Sequence, residues 1–130
     1  MGKGGGMARR DLTGAVDFER LAAFTAGDLT VVEEVLGLFE EQAQVWLRLL
    51  DGAAGGQGWR DAAHTLKGSA LGLCADALAD ACGRAEAQPD ADAALRGVLA
   101  GRVRDETERV LADIAAWRHE RRLQELRSPA

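Results

Sequence analysis

The chain has 130 residues, 47% of them hydrophobic and 28% charged, which is the size and make-up of one soluble globular domain. No run approaches the roughly 18 apolar residues of a membrane span, so a transmembrane reading is excluded. The net charge of -5 and pI near 5.0 exclude the basic face with which nucleic-acid binders displace phosphate counterions.

Ala is abundant, Tyr and Asn are absent, Ile occurs only at Ile114, and Pro only at Pro89 and Pro129, a composition that favours helices over strands. The opening stretch Met1 to Gly6 has no apolar core of a secretory signal, and Gly6 stands where a myristoylation motif wants Ser or Thr. Residues 1–12 read as a flexible tail, with Met7 as an alternative start. Thr13 is expected to cap a short helix through about Ala26, with Asp17 and Glu19 in its early turns and Val16, Leu21 and Phe24 as apolar contacts. Gly27 ends it. Asp28 or Thr30 caps a long helix from Leu29 to Asp51, and Thr30 with Glu33 has capping-box spacing. Along it Val32, Val35, Leu36, Phe39, Ala43, Trp46, Leu47 and Leu50 recur at steps of three and four, which marks one buried stripe. Glu33, Glu34, Glu40 and Glu41 read as a solvated face.

Gly52 to Gly58 holds four glycines and is expected to be a connection, short enough for an antiparallel neighbour. A third helix follows from about Trp59 to Leu73 and a fourth from about Asp76 to Ala87, closed by Gln88 and Pro89. Asp90 is expected to cap a last long helix with Leu95, Val98, Leu99, Val103, Val110, Ile114 and Trp117 on its apolar face. The run Arg118 to Arg122 reads as a solvated extension. No strand alternation and no internal repeat occur. Together these elements predict an all-α fold, an antiparallel four-helix bundle over residues 13–126 with a short extra N-terminal helix, and a C-terminal tail at 127–130.

Cys74 and Cys82 lack metal or redox spacing and read as small buried hydrophobes in a reducing cytoplasm. His119 lies in the charged run, no H-E-x-x-H occurs, and neither cysteine sits one turn from a histidine, so no metal site is expected.

The third helix carries the chemistry. At 100° per residue, with Trp59 as zero, Ala63, Leu66, Ala70 and Leu73 fall within about 40° and define the core side. Lys67 falls near 80°, Leu71 near 120°, His64 near 140° and Gly68 near 180°, so this group flanks the core stripe and is presented outward. A surface histidine is usually incidental, but its neighbours argue otherwise. Gly68, one turn past His64, costs roughly 0.5 to 1 kcal/mol against Ala inside a helix and leaves space beside the ring. Lys67 is one of two lysines among 16 basic residues, and a compact ammonium suits a single phosphoryl group as a point charge. Asp61 could bias the imidazole, though a plain surface charge is the default reading.

The stretch Ala63-His64-Thr65-Leu66-Lys67-Gly68-Ser69-Ala70, followed by Leu73, resembles the H-x-L-K-G-[SA]-[SA] signature of histidine-containing phosphotransfer (HPt) domains, and Gly27-Asp28-Leu29 through Phe39, Glu41 and Gln42 is similar to the helix that precedes it in many members. Cys74 departs from the pattern, which often has Gly there, so the bend into the fourth helix is expected to differ. The resemblance implies a phosphorelay intermediate: His64 takes a phosphoryl group at Nε2 from one receiver-domain aspartate and passes it to another. It implies Lys67 as the group that stabilises the phosphoryl, Gly68 as the opening that admits the partner, and Arg60 and Leu71 as docking residues. Partners would be receiver domains of response regulators or hybrid histidine kinases, met by a monomer, with no cofactor of its own and Mg²⁺ carried by the receiver. Phosphoryl transfer depends chiefly on in-line positioning and charge stabilisation, so a nucleophile and a dock suffice. No Walker loop, no G-x-G-x-x-G and no Asn-centred ATP box is present, so the chain reads as a phosphocarrier without ATP-dependent kinase activity.

Two other readings compete. A non-catalytic adaptor bundle would leave Lys67 and the mid-helix Gly68 without a cause. The dimeric phosphoacceptor module of a histidine kinase would place an acidic residue and a Pro after the histidine, and neither follows His64.

Overall fold

The computed structural model describes residues 12–52 and 55–127, and apart from Leu12 and Arg127 the two expected tails lie outside the described residues. Five helices follow in chain order: α1 (Phe18–Phe24), α2 (Leu29–Asp51), α3 (Gly56–Gly72), α4 (Asp76–Glu86) and α5 (Ala93–Arg127), and no strand occurs among the described residues. Helices α2 to α5 form the bundle, with α3 between α2 and α4, α5 closing against both α4 and α2, and α1 leaning on α2. None of these helices is long and apolar enough to cross a membrane.

Each element follows from local chemistry, and several boundaries differ from expectation. Gly14 takes φ +85, which breaks the chain before a helix can start at Thr13, so α1 begins only at Phe18, with the Asp17 side chain accepting from the Arg20 amide. Thr13 is used elsewhere: its amide and hydroxyl both donate to Oδ1 of Asp113 on α5, at 2.7 and 2.9 Å. Asp28 alone caps α2, accepting from the Thr30 and Val31 amides, so the Thr30–Glu33 capping box does not form. Helix α3 begins at Gly56, inside the stretch expected to be a connection. A Cβ on Gly56 would stand 2.7 Å from the Pro89 carbonyl oxygen, so the close approach of these two segments requires glycine. Asp92, not Asp90, caps α5 through the Leu95 amide.

The core stripe of α2 (Val32, Leu36, Phe39, Ala43, Leu47, Leu50) packs on α3 and shares one buried core with Trp59, Ala63, Leu66 and Ala70 of α3 and Leu78, Cys82 and Ala85 of α4. Trp59 anchors the lower end: it is 1% exposed, its indole N–H donates to the Ala85 carbonyl at 2.6 Å, and the Arg96 guanidinium lies over its ring. On α5 the buried stripe is Ala100, Val103, Thr107, Val110, Asp113 and Ile114. Leu95 and Val98, expected on that face, are exposed, because the 100° step per residue turns Val98 away from the stripe of Val103 and Val110 and leaves Leu95 at its edge.

The end of α5 also differs from expectation. Arg118 donates from Nε to Glu33 at 2.9 Å and from Nη1 to Glu40 at 2.5 Å, and Arg121 reaches Glu33 at 3.0 Å. Glu33 and Glu40 from the expected solvated face and Arg118 and Arg121 from the expected solvated extension thus form a single cluster clamping α5 to α2, while Glu34 and Glu41 stay exposed as expected. Trp117 lies under the Arg121 guanidinium and stacks on Phe18 of α1, with centroids 5.6 Å apart, so it is half-buried and packs against the core from the apolar face expected of it.

Just past the end of α3 at Gly72, Cys74 takes φ +59. This is the left-handed conformation that glycine adopts freely and other residues at a cost, so the bend itself has the geometry glycine would give. The Asp17 amide donates to the Cys74 carbonyl at 3.0 Å, and Arg20 pairs with Asp76 just beyond, so the N-terminal segment fastens this corner. Both cysteines are unpaired and buried. Burial pushes the Cys82 thiol up to about 12, which keeps it protonated and unreactive.

Candidate functional site

Helix α3 buries Trp59, Ala63, Leu66 and Ala70, so the residues roughly half a turn away are turned outward. The His64 side chain is 68% exposed and Leu71 is 53% exposed. Arg60 is exposed one turn before His64. At Gly68 a Cβ would meet nothing within 4 Å, so the space beside the ring opens to solvent. His64, Gly68, Leu71 and Arg60 therefore share one accessible face, as the helical wheel implies.

Of two charged neighbours, Asp61 keeps its default reading as a surface charge and Lys67 departs from expectation. Asp61 accepts a hydrogen bond from Gln57 at 2.8 Å and does not contact His64. Lys67 does not point freely outward but folds toward α4, where its Nζ lies 2.9 Å from Oε1 of Glu86. That oxygen is shut off from solvent, and the ammonium provides its charge partner as an ion pair, not as a well-aligned hydrogen bond. The second oxygen, Oε2, lies 2.7 Å from His64 Nδ1.

Glu86 is thus the residue that the sequence reading lacks. It bridges the imidazole and the ammonium with its two oxygens. The Lys67 ammonium, and after it the His64 ring, hold the Glu86 carboxyl below the usual carboxylate range, against a partial burial that pushes the other way. An ionised carboxylate has no proton to give, so the ring nitrogen facing it must be the donor. In the neutral ring this fixes the proton on Nδ1 and leaves the lone pair on Nε2, which meets no hydrogen-bond partner among the described residues.

Nothing else in the neighbourhood offers a metal-binding cluster: no group of three His, Cys, Asp or Glu side chains stands close enough to hold an ion among the described residues. A shallow cleft between α2 and α3 is lined by Trp46, Arg48, Leu49, Gly52, Gly58, Asp61 and Ala62, which places exposed apolar surface of α2 beside the turn of α3 that leads into His64. Val31, Leu38, Val45 and Leu49 remain exposed along α2, at spacings of seven, seven and four that put them on one line of the helix.

An outward histidine with a free Nε2, a carboxylate behind its Nδ1, a lysine on the same carboxylate and an open glycine one turn on make an arrangement suited to accepting a small electrophilic group. The family model described as Hpt domain matches residues 30–117, which spans α2 through most of α5. The chain belongs to the Hpt domain family. The crystal structure of the histidine phosphotransferase ShpA from Caulobacter crescentus is similar, with 44% identity, 86% of this chain and 98% of that chain covered, and a TM-score of 0.70. A comparison with curated proteins finds no match. Membership gives this Hpt chain its helical-bundle fold and a phosphotransfer role in a phosphorelay, the setting in which Hpt proteins work with response-regulator receivers. Its α5 runs ten residues past the matched region to Arg127, and Arg118 and Arg121 of the clamp to α2 lie there.

Proposed function

We propose that this protein relays a phosphoryl group between receiver-domain aspartates through a phosphohistidine at His64 Nε2. The observation that carries the reading is the Glu86 carboxylate 2.7 Å from Nδ1, which leaves Nε2 as the exposed nucleophile. In the first step the Nε2 lone pair attacks the phosphorus of an aspartyl phosphate. The P–Nε2 bond forms, the P–O bond to the aspartate breaks, and the carboxylate leaves on the receiver. The ring, still protonated at Nδ1, gains positive charge, which the Glu86 carboxylate offsets. The second step reverses these changes onto another aspartate. Keeping Nδ1 protonated holds the phosphoimidazole as a good leaving group.

Lys67, held on Glu86 beside the ring, supplies a point charge toward the phosphoryl oxygens. Gly68 keeps the in-line path clear of side-chain atoms. Leu71 and Arg60 on α3, with the exposed apolar line of α2, form the dock for the receiver. Mg²⁺ comes with the receiver, and this chain contributes the nucleophile, its orienting carboxylate and the surface. The protein acts as a cytoplasmic monomer without ATP-dependent kinase activity. A monomer by size-exclusion chromatography separates it from a kinase dimerisation module, and incubation with a phosphorylated receiver domain tests the reaction. The reading expects acid-labile, base-stable label on this chain. An adaptor bundle takes none.

A further inference from the structure

We propose that Gly83 is a positioning residue: its missing side chain seats the methylene stem of Lys67 across α4 and so directs the ammonium onto Glu86 beside His64. The inference deepens the phosphotransfer reading and rests on it for its effect on rate.

Gly83 lies inside α4, whose sequence DALADACGRAE is otherwise rich in Ala and carries no other glycine. Ala would serve the helix better there, so the glycine calls for a cause in packing. The structure supplies one. A Cβ on Gly83 would meet the Cδ of Lys67 at 3.7 Å, and no other atom outside its own stretch of helix lies within 4 Å. The position where a side chain would start is therefore roofed by the lysine stem. Lys67 is 32% exposed, less than half as exposed as His64, because its stem lies against α4 instead of extending into water. Gly83 and Glu86 are three residues apart and share one face of α4, so a stem lying over the first arrives at the carboxylate of the second.

The distance also sorts substitutions by size. A methyl at 3.7 Å is in ordinary van der Waals contact, so Ala fits. Atoms beyond Cβ would occupy the volume of the stem, lift Lys67 off α4 and separate Nζ from Glu86. Because Lys67 is the first cause of the low Glu86 carboxyl, that separation is readable without any phosphoryl chemistry.

The experiment titrates the Glu86 side-chain carboxyl by carbon-detected NMR in the full chain for wild type, Gly83→Ala, Gly83→Leu and Lys67→Ala. It also measures melting temperature and the rate of transfer from a phosphorylated receiver domain. Gly83→Ala should melt higher than wild type and titrate like it. Gly83→Leu should keep its helical circular dichroism, while its Glu86 carboxyl moves up to the position found in Lys67→Ala. Its transfer rate should fall as far as that of Lys67→Ala, and the double variant should be no slower than Lys67→Ala alone, since both changes act through one side chain. If Gly83→Leu does not fold, Gly83→Gln carries similar bulk with a polar end and serves the same comparison. An unmoved Glu86 titration in the folded bulky variant overturns the proposal. So do rate losses that multiply in the double variant, because Gly83 would then act on docking directly. If the titration moves as expected while wild type accepts no phosphoryl group, the seat stands and the phosphotransfer reading falls.

Discussion

His64 Nδ1 and Glu86 Oε2 stand 2.7 Å apart across two helices, joined from positions 22 residues apart in the chain. The contact decides which nitrogen of the ring carries the proton, and its removal should be felt in the reaction. Glu86→Ala leaves the ring free to rotate and to change tautomer. Loss of a charge-assisted hydrogen bond of roughly 1.5 kcal/mol corresponds to about a tenfold slower transfer. Glu86→Gln keeps an oxygen for Nδ1–H without the charge and should fall between the two. Initial rates from one phosphorylated receiver measure the order, and equal rates for all three proteins would rule the orienting role out.

The same carboxylate has a pH signature. Its pKa is depressed in the folded protein, first by Lys67 and then by His64, so its contribution to stability is fully present above the unfolded value of about 4.3 and is lost as pH falls through the lower folded value. The stability of wild type relative to Glu86→Gln should therefore be retained from neutral pH down to about 5 and shrink below about 4. Urea denaturation at a series of pH values reads this. A difference that grows in acid would mean the sign is wrong.

The helices were legible because their signals are local. The stripe from Val32 to Leu50 and the cap at Asp28 place α2 at Leu29–Asp51, and the wheel of α3 separates Trp59, Leu66 and Ala70 from His64, Gly68 and Leu71. Glu86 was not legible. It is one carboxylate among 21 acidic residues, and its contact with His64 depends on how α4 is rotated and offset against α3, which no periodicity within either helix encodes. For the same reason the clamp of Arg118 and Arg121 on Glu33 and Glu40 reads from sequence as two separate solvated faces. The Thr13 signal misleads because a Thr that can cap a helix can equally serve a buried carboxylate 100 residues away.

Gly68 separates access from stability. A Cβ there meets nothing, so Gly68→Ala should stabilise the fold by about 0.5 to 1 kcal/mol through helix propensity alone. Gly68→Gln should stay folded and lose most of its transfer, because its side chain stands one turn from His64 in the path of the partner. Thermal melts and transfer rates measured in parallel check this, and wild-type transfer in Gly68→Gln would show that the docking face lies elsewhere.

Asp113 holds the N-terminal segment. It is fully buried and accepts from the Thr13 amide at 2.7 Å, the Thr13 hydroxyl at 2.9 Å and the Val16 amide at 3.2 Å. An asparagine offers one acceptor oxygen to three donors and adds two buried N–H groups of its own. Asp113→Asn should cost about 1 to 3 kcal/mol in urea denaturation and speed amide exchange at Ala15 and Val16. Unchanged stability would show that the strap contributes nothing to the fold.

The most direct test of the account is the site of phosphorylation. Wild type, His64→Gln and a His119→Gln control, each with helical circular dichroism verified, are incubated with a phosphorylated receiver domain and the acid-labile, base-stable phosphate on each chain is counted. Wild type and His119→Gln should carry equal label, located at Nε2 of His64 by nitrogen NMR, and His64→Gln should carry none. Label retained in His64→Gln and lost in His119→Gln would contradict the account.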